Sequence, residues 1–208
     1  MGYIETVVRR DAGDVTARLL ELGTDLERLL RVRDIALHEA SNATPFHCTN
    51  AGGTFAYQHG VFALRQEHVD VDGWRLDRSE NVEGIVNDAL NVRVLFSNVD
   101  VACRDDLGPK PRSAKGSGSE RVCAGNLFGH LPEFTPEPRD GIATYYLMID
   151  EKGAAELTRP VMADRTFKSY IERIWLSNGL DDDGIGAKPS LDNDDALTDF
   201  DPQVARKQ

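Results

Sequence analysis

The chain has 208 residues, a formal net charge of −11 and a pI near 4.9. With 40% apolar and 28% charged residues it has ordinary globular composition. No run approaches the ~18 apolar residues of a membrane span. The acidic balance opposes indiscriminate wrapping of nucleic acid, because a phosphate backbone repels net negative charge.

The N-terminal stretch lacks the apolar core of a signal peptide. Gly2 and Thr6 fit the loose myristoylation pattern, but no basic patch or second anchor follows. Asn42-Ala43-Thr44 is a glycosylation sequon by letter only. Cys48, Cys103 and Cys123 are too few, and odd in number, for a disulfide framework, so a cytoplasmic location is expected.

Two helices are predicted first. Val15, Leu19 and Leu22 share one side, and Gly23 ends the first helix. Thr24 and Glu27 read as a capping box opening the second. Leu26, Leu29, Leu30, Ala36, Leu37 and Ala40 continue it, and residues 42–45 stop it. Residues 54–66 are aromatic and β-branched and read as a strand, with a bulge at Gly60. Residues 67–77 read as a hairpin turning at Asp72-Gly73, and 81–90 as a short helix. Residues 91–103 form the strongest strand, with apolar residues on both faces as expected of a covered central strand.

After a proline-rich crossing before Gly141, residues 142–161 read as a hairpin turning at Asp150–Gly153. Thr166 reads as the N-cap of a last helix carrying Phe167, Tyr170, Ile171, Ile174 and Trp175 at helical spacing, stopped by Asn178-Gly179. From Gly179 onward there are eight aspartates against three basic residues. Such a segment cannot bury enough surface to offset its ordering entropy. The expected organisation is one α+β domain over 1–178 and an acidic disordered tail over 179–208. Its sheet is expected to be mainly antiparallel, covered by an N-terminal helix pair and a C-terminal helix.

The chemistry concentrates in residues 104–121. Arg104, Lys110, Arg112, Lys115 and Arg121 supply positive charge, and Ser117 and Ser119 supply hydroxyl donors. Gly108, Gly116 and Gly118 permit positive φ and an anion nest of backbone N–H groups. The order is not that of a P-loop. This segment is the candidate contact for nucleic acid or another phosphate-bearing partner, with neighbouring aromatics available for base stacking. The acidic tail then serves autoinhibition or partner recruitment.

Other constellations are weaker. Cys48, Cys103, Cys123 and His130, with His47, could be drawn as a zinc site, but no close pair such as C-x-x-C exists. Adjacency of His47 and Cys48 gives no support for a nucleophile and its base. Neither a metal nor a cofactor is expected. Asp140, Asp150 and Lys152 superficially match a metal-dependent nuclease, with Asp100 as a further carboxylate. That makes a phosphodiester hydrolase the alternative enzyme. Asp70 and Asp72 could hold a cation. A bulge at Gly60 could aim Tyr57 or His59 into a cleft. A third reading is an acidic protein-interaction factor imitating DNA charge.

Overall fold

The computed structural model describes residues 5–126 and 141–179. The tail beyond 179 and the proline-rich crossing, with His130 and Asp140, lie outside the described residues. Among those described, no helix is long and apolar enough to cross a membrane.

A short strand β1 (Val7–Arg9) leads into α1 (Ala12–Glu21), capped by Asp11, whose Oδ1 accepts from the Gly13 and Asp14 amides. Gly23, at φ +72°, ends the turn that follows, as the sequence suggests. Helix α2 (Leu26–Ser41) is capped by Asp25, which accepts from Arg28 N at 2.8 Å. The capping box expected from Thr24 is therefore corrected. Thr24 is buried, and its hydroxyl pairs with His68 Nε2 at 2.8 Å.

Residues 54–66 are helical, not extended. They lie within α3 (Ala51–His68), which buries Ala56, Gly60, Ala63 and Leu64. The small residues let the helix pack closely: a Cβ at Gly60 would collide with the Phe96 ring. Asp72-Gly73 is likewise a turn, but it joins α3 to β2 (Trp74–Asp77) instead of closing a hairpin. Residues expected as a short helix form β3 (Gly84–Asn87). The predicted central strand stands as β4 (Val92–Asn98). The 104–121 segment ends in α4 (Ser117–Cys123), where no helix was expected.

Strands β5 (Ala143–Ile149) and β6 (Ala155–Ala163) form the expected hairpin, with the Gly153 amide donating to the Asp150 carbonyl in its turn. The predicted last helix is instead the longest strand, β7 (Thr166–Ser177). Its pairing with β6 slips at three points, leaving an extra residue on β7 each time. Each extra residue adds one to the period of two. Phe167 and Tyr170, which share the second core, thereby fall three apart and mimic helical spacing.

Among the described residues seven strands make one sheet, in the order β1-β7-β6-β5-β4-β3-β2. It is mixed, not mainly antiparallel. Strands β4 and β5 run parallel, as do β1 and β7. The long connection from β4 to β5 returns the chain to the same end, which a hairpin cannot do.

Two cores lie on the two faces. Val94, Phe96, Leu147 and Ile174 pack with α1, α2 and α3 on one. Leu95, Tyr146, Met148 and Phe167 pack with Val122 and Cys123 of α4 on the other. Alternation along β4 and β5 produces this division.

Candidate functional site: a cleft at the open end of β4

Strand β3 stops at Gly84, opposite Leu95, so β4 runs on past its neighbour. A cleft of about 1190 Å³ opens there. It is bounded by α3, the carboxyl ends of parallel β4 and β5, the 79–83 turn and residues 112–121. The carboxyl end of a parallel strand pair is a common place for a ligand crevice in α/β sheets. The Asn98 side chain ties the floor to α3 by donating to the Gly53 carbonyl at 2.8 Å.

Five of the seven residues singled out in the sequence line this cleft: Arg112, Lys115, Ser117, Ser119 and Arg121. Arg104 and Lys110 do not. Arg104 pairs locally with Asp106 at 2.9 Å. The Lys110 ammonium donates to the Phe167 carbonyl at 2.5 Å, and its backbone amide donates to Asp100.

The cations at the cleft are unequal. Arg112 is paired with Glu151, and Arg121 with Glu80 at 2.5 Å. Lys115 has no ion pair among the described residues. It is half-buried, and its Nζ lies over the rings of Tyr146, at 5.4 Å, and Phe167, at 5.9 Å. Burial pushes its pKa down to about 8. The Cys123 thiol nearby is itself pushed up to about 12 by burial, so it stays neutral and supplies no counter-charge. Tyr146, flanked by Ser119 and Cys123, is likewise driven well above its ordinary value.

Lys115 is fixed at its backbone. Its amide donates to the Arg165 carbonyl, and its carbonyl accepts from Arg165 Nε, both at 2.9 Å. Ser117 opens α4 and is exposed, whereas Ser119 is buried at 8%. The anion nest is corrected: neither Gly108, Gly116 nor Gly118 adopts positive φ. Gly118 instead allows α4 to approach the Glu80 carbonyl, where a Cβ would clash.

Of the carboxylates suggested for hydrolysis, the two described are occupied as braces. Asp150 accepts from the amides of Ala102, Lys152 and Ala154. Asp100 accepts from those of Val101 and Lys110. Asp70 and Asp72 shape the turn after α3, at φ +65° and +50°, and Asp72 also pairs with Arg28. Cys103 and Cys123 are buried while Cys48 is exposed, and His47 bonds Thr44. Among the described residues no group of three His, Cys, Asp or Glu side chains could hold a metal.

Tyr57 does line the cleft, carried there by a helix and not by a bulge, while His59 faces Glu39 at 3.8 Å. Tyr146 was missed. Its only signal is its place in a strand whose alternate residues face the 112–121 segment, and the sequence does not say what covers that face.

No family model, no curated protein and no solved structure matches the chain.

Proposed function

We propose that the protein binds a compact phosphate-bearing molecule in the cleft between α3 and residues 112–121. The observation that carries this reading is the convergence of Arg112, Lys115, Ser117, Ser119 and Arg121 on one cavity. A desolvated ammonium without a carboxylate gains most from an arriving anion, because the cost of burying it has already been met. The hydroxyls offer hydrogen bonds to phosphate oxygens. The volume falls just above the usual range for small-molecule sites.

A nucleic-acid backbone is less well served. Glu151, Glu80 and Asp106 accompany the outer arginines, so an extended polyanion meets alternating signs instead of a continuous positive track. The aspartate-rich tail supplies a regulatory half to the reading, since a tethered acidic segment competes for the same cations.

The test is thermal stabilisation by sodium phosphate, adenosine 5′-monophosphate and a 20-base-pair duplex. Ligand binding to the folded state raises the melting midpoint by mass action. The small phosphates should stabilise the protein; Lys115→Met should abolish the shift, and Arg104→Ala should leave it intact. A duplex that stabilises more strongly than either small phosphate, with steep salt dependence, would restore the nucleic-acid reading in place of this one.

A further inference from the structure

We propose that Lys115 captures carbonyl compounds: its ε-amine condenses with an aldehyde or ketone on the cleft's ligand to form a reversible imine. This deepens the reading above, resting on a ligand that enters the same cleft, and it specifies the ligand as a phosphate-bearing carbonyl compound.

Four features support it. Lys115 lines the cavity, where a small molecule can reach it. Among the described residues no carboxylate locks its ammonium in place, whereas Arg104, Arg112 and Arg121 are each paired. Its backbone is clamped on both sides to Arg165, so the side chain leaves from a fixed point. The faces of Tyr146 and Phe167 cover one side of the amine and tolerate a cation, so they suit a protonated imine as well as the resting ammonium.

The step balances without any added reagent. The ammonium first releases a proton to solvent. The Nζ lone pair attacks the carbonyl carbon, and the carbonyl π electrons pass to oxygen to give a carbinolamine. Protonated at its oxygen, the carbinolamine loses water, leaving a protonated imine. Net, ammonium and carbonyl become iminium and water, with no change of oxidation state. Burial holds the amine near pKa 8, so about a tenth of it is free base at pH 7, against far less for an exposed lysine.

The chain has six lysines and none before residue 110, which makes the adduct easy to place. The full-length protein is incubated at pH 7 with glycolaldehyde phosphate or glycolaldehyde, reduced with cyanoborohydride, and mapped by peptide mass spectrometry. Lys115 should carry at least about tenfold more adduct than Lys152 or Lys168, both exposed on turns or edges. Lys115→Arg keeps the cation and removes the nucleophile. It should lose the dominant adduct while retaining stabilisation by sodium phosphate. Labelling of Lys115 no greater than that of Lys152 and Lys168 overturns the inference. Equal trapping of both aldehydes at Lys115 upholds the imine but removes the preference for phosphate. Stabilisation by sodium phosphate with no Lys115 adduct does the reverse.

Discussion

Replacing Lys115 by Met should stabilise the protein at neutral pH, although it removes a charge from a loop. In the unfolded chain the ammonium has its ordinary pKa of 10.5, whereas burial lowers it to about 8 in the folded state. At about 1.4 kcal/mol for each tenfold change in proton affinity, this costs the folded state at most about 3.4 kcal/mol at pH 7. The side chain is only half-buried, and screening from the open side of the cleft reduces the cost to about 1.7 kcal/mol. Contact with the two aromatic faces returns about 0.5–1 kcal/mol. The net gain expected from Met, which fits the same space, is therefore about 1 kcal/mol. At Lys115 the folded state binds fewer protons than the unfolded one between pH 8 and 10.5, so over that window the wild type should recover stability relative to the Met variant. By pH 10 the screened cost falls to about 0.4 kcal/mol, and the advantage of Met should disappear. The Cys123 thiol and Tyr146 phenol stay neutral in the folded state and ionise on unfolding, which lowers the stability of both proteins alike at high pH and cancels in the comparison; the Glu120 carboxylate is engaged by the Arg165 amide. Urea unfolding of both proteins at pH 7 and pH 10 measures the difference. A variant less stable than wild type at pH 7 by 1 kcal/mol or more would mean that Lys115 is held by a favourable ion pair, and the reasoning fails.

Two further changes test the frame around the cleft. Glu156 is fully buried and takes two hydrogen bonds from Arg173, along with those from the Cys103 amide and Thr158 hydroxyl. Glu156→Ala should cost about 3–5 kcal/mol in chemical denaturation, since it strands a buried guanidinium; a loss under 1 kcal/mol would contradict that burial. Gly60→Val should destabilise by about 1–3 kcal/mol through overlap with Phe96, with far-UV circular dichroism tracking the helix. An unchanged unfolding midpoint would place Gly60 away from the sheet.

The sequence revealed elements whose own neighbours define them and concealed those defined by distant partners. The α1–α2 pair was legible because apolar spacing and the Gly23 break are local, although the cap of α2 was misplaced by one residue. Strand β4 and the β5–β6 hairpin were legible because their apolar runs and turn residues suffice. Helix α3 was not: its buried stripe is built largely from Ala and Gly, which carry little periodic signal, while the exposed Tyr57 and Phe62 suggest a strand. β7 failed for the opposite reason, its slips producing helical spacing in an extended chain. The parallel partnership of β4 and β5 joins strands far apart in sequence, which no local pattern records. At the cleft, charge density picked out residues 104–121, of which only 112–121 lines the cavity. The distinction between Lys115 and its neighbours was not readable, because the carboxylates that occupy Arg112 and Arg121 lie 39 and 41 residues away.

Those two arginine pairs have a consequence for how a guest is received. Each joins the 112–121 segment to a different wall, one at the β5–β6 turn and one before β3. Each is exposed, and such pairs contribute only about 0–1 kcal/mol, close to thermal energy. A visiting phosphate at the rim competes with Glu151 or Glu80 for a guanidinium that is already engaged. What it gains there is an exchange of partners, nearly balanced, with the displaced carboxylate returned to water. The rim can therefore sample many anions and hold none for long, leaving retention to the single lysine inside.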